Sequence, residues 1–166
     1  MAIRLPDHFD PAERGERARA CFLEGYNCCQ AVLLAFADVL EANGLADAGL
    51  LKTVGSGFGG GFARMREVCG SFSACTMLAG FIRPAAETGL ETRTANYALV
   101  QEMAAAFRER NGGSIVCAEL LGLHERKTES PTPDARTAEY YRKRPCPEII
   151  RNAAVIVAEK MKEAAR

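Results

Sequence analysis

Apolar residues recur at three- and four-residue intervals along most of the chain, and no segment alternates apolar and polar residues as a half-buried strand does. That periodicity restricts the fold to helices packed on helices. Interruptions then divide the chain. In Pro11 to Tyr26, Ala18, Phe22 and Leu23 keep helical spacing and Gly25 marks a stop. Asn27 is a good N-cap for a second helix, in which Val32, Leu33, Phe36, Val39 and Leu40 repeat until Asn43-Gly44. A third, short helix from Ala46 to about Val54 ends at the glycine-rich stretch Gly55-Ser-Gly-Phe-Gly-Gly-Gly61.

Glu67 to Ile82 reads as the central helix, because Val68, Phe72, Met77, Leu78 and Phe81 leave little polar surface before Pro84 closes it. Leu90 to Arg110 is the longest helix, with Tyr97, Val100, Met103, Ala104 and Phe107 on one face and Asn111-Gly112-Gly113 as terminator. A short helix over Cys117 to Leu121 ends at Gly122, a flexible loop occupies about 123–134, and Arg136 to Tyr141 forms one more short helix. The last helix starts at Pro147, a favoured first position, and carries Ile149, Ile150, Val155, Ile156 and Val157. The expected fold is all-α: an irregular bundle of about five longer helices plus short ones, in one domain over residues 1–166 with a polar leader over about 1–10.

With 166 residues, 48% of them hydrophobic, such a chain builds its own core and needs neither disulfide nor metal to fold. Its seven cysteines therefore call for another explanation. Lys+Arg and Asp+Glu are both 21, and no stretch concentrates basic residues, which argues against nucleic-acid partners. The first residues lack the apolar core of a signal peptide, and the longest apolar run, Ala31 to Ala37, is too short to cross a bilayer. A cytoplasmic protein with reduced thiols is expected, since an odd number of cysteines without an export signal points away from a disulfide scaffold.

On this helix map Cys28, Cys69, Cys117 and Cys146 all fall at helix starts: Cys28 after its N-cap, Cys69 and Cys117 in first turns, Cys146 at an N-cap position. Unpaired amides and the positive end of the dipole stabilise a thiolate there, so these four are expected to ionise more readily than an ordinary cysteine. Arg64 and Arg66 near Cys69, and Arg142, Lys143 and Arg144 before Cys146, add positive charge, which Glu67 and Glu148 partly oppose. Cys21 and Cys75 fall inside helices and read as core filling. No C-x-x-C pair occurs, so any shared site must be assembled by folding.

Gly55, Gly57 and Gly60 match G-x-G-x-x-G on paper, but no strand precedes them, and dinucleotide binding is not expected. Gly57, Gly59, Gly60 and Gly61 instead read as a tight passage near the Cys69 helix start, where backbone amides form an anion-binding nest for a ligand or cofactor. The only histidines, His8 and His124, give little support to a histidine-based metal site.

The order Gly25-Tyr-Asn-Cys28-Cys-Gln-Ala-Val32, the glycine stretch, Glu67-Val-Cys69-Gly70, Ser114-Ile-Val-Cys117-Ala-Glu-Leu-Leu-Gly122 and Cys146-Pro147 resembles the C_GCAxxG_C_C family of bacterial and archaeal proteins. The likeness runs from about Ala18 to Ala158, and the family's four characteristic cysteines correspond to Cys28, Cys69, Cys117 and Cys146. The resemblance implies a thiol-based redox function with an iron-sulfur or other metal centre as one form of it, and it supplies no substrate. Two departures stand out: Ser71 and Ala74 replace the alanine and glycine usual in the family. Cys29, where relatives tend to have alanine, and Cys75 are additional thiols.

Two functions follow as expectations. In the first, the four cysteines converge and act either by thiol-disulfide exchange or as ligands to an iron-sulfur cluster or zinc, serving a redox partner or small molecule. In the second, the chain is a non-catalytic accessory or small-ligand-binding module with buried structural cysteines. Its apolar helix surface also suggests a homodimer.

Overall fold

The computed structural model describes residues 3–165. Its described residues form nine α-helices and no sheet, so the chain is all-α. Helix α1 (Pro11–Leu23) starts on the Asp10 side chain, which accepts from the Ala12 amide. It lies along the C-terminal helix, α9 (Cys146–Ala164), and Gly15 permits the approach: a β-carbon there would lie 2.8 Å from Val155 Cγ2. Along α9, Ile149, Ile150, Ala153, Ile156, Val157 and Met161 are buried, the stripe that its spacing predicts.

The segment expected as one helix from Asn27 to Asn43 is two, α2 (Cys28–Leu34) and α3 (Ala37–Ala42). The break has a tertiary cause. Arg14, buried under α1, donates to the Ala35 carbonyl at 2.9 Å, a group a continuous helix would keep for the amide four residues on. Asp38 holds the same guanidinium, and Phe9 covers it at 4.8 Å from the ring centroid. Phe36, at the break, is fully buried.

Helix α4 (Ala48–Gly55), capped by Asp47, runs into a 3₁₀ turn at Ser56–Phe58. The next helix, α5 (Gly70–Ile82), is central as expected, contacting α2, α9 and the long α6 (Leu90–Arg110). Nine of its residues are buried, Ser71, Ser73, Ala74 and Cys75 among them. On α6 the core face is Leu99, Met103, Ala104 and Phe107, and Phe107 meets Phe72 of α5 at 5.5 Å between ring centroids. Tyr97, expected on that face, is exposed; its neighbour Asn96 is the residue of that turn that meets α5, donating to Ala79 O at 3.5 Å and Arg83 O at 2.8 Å. Short helices α7 (Cys117–Leu120) and α8 (Ala138–Lys143) flank an irregular segment over 121–137. No helix among the described residues is long and apolar enough to cross a membrane.

Candidate functional site

Cys28 is the first residue of α2, held by a reciprocal cap: the Asn27 side chain accepts from Gln30 N at 2.9 Å and Gln30 Oε1 accepts from Asn27 N at 3.1 Å. Asn27 Nδ2 also donates to the Gly55 and Ser56 carbonyls, both at 3.1 Å, which ties this helix start to the glycine stretch. Cys69 immediately precedes α5 as its N-cap rather than lying in its first turn, because the helix starts at Gly70 and not at Glu67 as expected. Cys117 opens α7, and Cys146 opens α9 with Pro147 second.

Backbone joins two of these starts. Cys69 N donates to Ile115 O at 2.8 Å, Cys117 N to Glu67 O at 2.7 Å and Ala118 N to Arg66 O at 3.2 Å, around a Val68–Val116 antiparallel bridge. Just before this staple the chain turns left-handed, with φ of 68° at Gly60 and Gly61, 56° at Phe62, 47° at Ala63, 67° at Arg64 and 60° at Arg66. Each non-glycine residue there costs about 1–2 kcal/mol. The turn is held by long loops of hydrogen bonds: Ala63 N to Gly57 O at 2.9 Å, and Arg64 N to Gly59 O, Arg66 N to Gly60 O and Glu67 N to Gly61 O at 3.1 Å each. The four glycines thus serve here as acceptors, using up amides that follow them. Gly59 and Gly60 lie on the wall of the cavity described next, whereas Gly57 and Gly61 do not. Gly61 instead packs under Cys117, where a β-carbon would lie 2.7 Å from Cys117 Cβ.

All four helix-start cysteines line one cavity of about 460 Å³. Cys28 and Cys146 are half-buried, Cys69 and Cys117 buried. Gly70 is the floor beneath the first thiol, since a β-carbon on it would stand 2.5 Å from both Cys28 Sγ and Phe58 O. The remaining wall carries Ser71, Arg64, Arg66, Arg136, Arg144, Asp134 and the rings of Phe22 and Tyr140. Cys21, Cys29 and Cys75 are not part of it. Cys29 and Cys75 are fully buried in the core, and Cys75 Sγ donates to Ala153 O at 3.7 Å.

A family model described as "Putative redox-active protein (C_GCAxxG_C_C)" matches residues 26–160, a span that contains every one of these four cysteines. The chain belongs to the C_GCAxxG_C_C family. No curated protein and no solved structure matches it.

Three of the four C_GCAxxG_C_C cysteines differ from expectation in their electrostatics. Burial pushes Cys69, Cys117 and Cys146 above the ordinary thiol range, Cys146 to about 11, so desolvation outweighs the helix starts. Negative charge on Cys28 raises each of the other three further. Ionisation of one thiol in this cluster therefore disfavours ionisation of the others. Opposing groups are specific: the amide and hydroxyl of Ser71 favour ionised Cys69, and Arg66 favours ionised Cys117 by donating from Nη1 at 3.7 Å.

Arg66 was expected beside Cys69 but serves Cys117. It is 2% exposed, and Glu129 grips it through Nε at 2.8 Å and Nη2 at 2.6 Å. Glu129 also binds Arg64 at 2.7 Å, and Asp134 joins Arg64 at 3.2 Å to Arg144 at 2.7 Å. Glu129, Asp134 and Arg136 escaped the sequence reading because they sit in an aperiodic segment whose proline and serine content signals only turns. Among the described residues no group of three or more His, Cys, Asp or Glu side chains is placed to hold one metal ion. As arranged, the thiols do not form a ready-made cage for a single ion.

Proposed function

We propose that this C_GCAxxG_C_C protein is a thiol-disulfide redox protein in which Cys28 attacks and Cys69 resolves, with Cys117 and Cys146 as the flanking thiols. The observation that carries the reading is the presence of all four cysteines on one cavity wall, drawn from four separate helix starts. Seating of the Cys28 thiol on Gly70, next to Cys69, supports the choice of pair, as does the partial exposure of Cys28. Negative charge on Cys28 disfavours ionisation of Cys69, which suits a resolving thiol that acts second. Cys28 sulfur attacks one sulfur of a disulfide, the S–S bond breaks, and the first half departs as a thiolate. Cys69 gives its proton to that thiolate and attacks Cys28 in the mixed disulfide, expelling the second half as a thiol once a proton from solvent replaces the one lost by Cys28. Two protein thiols are oxidised and one disulfide is reduced to two thiols. The seven free cysteines support a reducing, cytoplasmic setting.

The test is to treat the reduced protein with one equivalent of bis(2-hydroxyethyl) disulfide and map the products by peptide mass. A Cys28–Cys69 disulfide with two equivalents of released mercaptoethanol, and a trapped mixed disulfide at Cys28 in Cys69→Ser, is the expected result. Thiols that stay inert until the protein unfolds would overturn the proposal in favour of an accessory module with structural cysteines.

A further inference from the structure

The Ser71 hydroxyl is fully buried, lines the cavity, and makes no hydrogen bond with any described residue while Cys69 is protonated, the ionised Cys69 sulfur being the one group it favours. A buried hydroxyl without a partner keeps its desolvation penalty, which a ligand that accepts from it removes. It sits in the first turn of α5, a 13-residue helix whose N-cap, Cys69, supplies no side-chain cap. That helix end presents uncapped amides and positive partial charge beside the hydroxyl. The lining adds full charges of the same sign. Four guanidinium groups, those of Arg64, Arg66, Arg136 and Arg144, face one lining carboxylate, Asp134, with Glu129 behind them.

Arg136 is the guanidinium left over. No carboxylate among the described residues pairs with it; it lies over the Phe22 and Tyr140 rings at 4.5 and 5.0 Å and donates to the Phe22 and Tyr26 carbonyls, both at 3.4 Å. Rings and carbonyls fix its position and leave its charge uncancelled. The cavity thus combines an unused hydroxyl, an uncapped helix start and a lining of net positive charge.

The geometry points to an anionic substrate: the cavity selects small disulfides that carry a carboxylate, which accepts from Ser71 at the start of α5 while Arg136 favours the negative charge. The redox step is the exchange already proposed and rests on it, whereas the anion seat does not. A protonated Cys69 beside the seat leaves the carboxylate unopposed, and departure of the first half of the substrate carries that charge away before Cys69 acts.

Calorimetry with thiodiacetate, a redox-inert dianion, against neutral thiodiglycol tests the seat without any reaction. The dianion is expected to bind at least about tenfold more tightly, and Ser71→Ala and Arg136→Gln each to lose about that factor for the dianion alone, as removal of a charge-assisted hydrogen bond or a nearby charge requires. In parallel, the reduced protein is mixed with dithiodiglycolate, bis(2-hydroxyethyl) disulfide and cystamine; the expected order of rates is anionic, neutral, cationic, collapsing in the two variants. Equal affinity for thiodiacetate and thiodiglycol, or equal rates with the three disulfides, would overturn the inference while the exchange reading stands. Thiodiacetate binding lost in Ser71→Ala, with no disulfide reacting, would sink the exchange reading and leave the seat standing.

Discussion

Arg66 joins the sulfur of Cys117 to the carboxylate of Glu129: one edge of its guanidinium donates to Cys117 Sγ at 3.7 Å, while Nε and Nη2 take both Glu129 oxygens. A residue on the cavity wall is in this way tied to the segment that covers it. Replacing Arg66 by Gln leaves Glu129 without its main partner, and Lys cannot reproduce the two-pronged grip. Both variants are expected to lose about 3 kcal/mol in urea unfolding, since Arg66 is almost fully buried. Alkylation of Cys117 by iodoacetamide should slow at the same time, because the group that favours its thiolate is gone.

Stability should fall as pH rises above about 9. Cys75 is pushed up to about 12 and Cys146 to about 11 from an ordinary 9.0, both chiefly by burial. In that window the unfolded chain has released protons that the native state retains, so the stabilisation present below pH 9 is lost as pH climbs through the raised values. Urea midpoints at pH 7, 9 and 10.5 measure it. Cys75→Ala should flatten the slope, and an unchanged slope would remove Cys75 as a contributor.

At acid pH the sign reverses. Arg66 holds the Glu129 carboxyl below its ordinary 4.5, and Arg64 does the same for Asp134. Their contribution is intact above the ordinary carboxylate range and lost as pH falls through the depressed values. Hydrogen exchange should therefore show residues 124–137 losing protection below about pH 4.5 while α5 and α9 retain theirs. Glu129→Gln should expose the same segment at pH 7.

Backbone packing gives a pair of opposite mutational effects. Gly70→Ala places a methyl 2.5 Å from Cys28 Sγ and Phe58 O, and the carbonyl cannot swing away, so a loss of about 1–3 kcal/mol is expected. Ala63→Gly acts at an exposed residue with φ of 47°, where removing the β-carbon relieves left-handed strain. It should stabilise by about 0.5–1 kcal/mol after the extra freedom of the unfolded glycine is counted. Paired thermal melts decide both.

The contrast between these sites explains what sequence reading reached. Asn27 with Gln30 three residues on, Asp47, and Pro147 are local signals, and the helix starts that carry Cys28 and Cys146 follow from them within one residue. The break at Ala35 and Phe36 depends on a guanidinium arriving from another helix, which no local pattern announces. Choice of the four cysteines followed from their shared position at helix starts and from the family resemblance, but the direction of their ionisation did not, because depth of burial is a property of the assembled bundle. Gly60 and Gly61 announce a left-handed bend, whereas Phe62, Ala63 and Arg64 continue it against their own preference.

The staple that joins residues 66–69 to 115–118 is made of peptide groups alone. Two of the four cysteines are therefore located by bonds that do not pass through sulfur, and their spacing does not depend on what the sulfurs are doing. Such a frame separates inheritance of the fold from inheritance of the chemistry. Thiols at these positions can be lost, added or exchanged without dismantling the backbone that shapes the cavity, which stays intact for selection to refit.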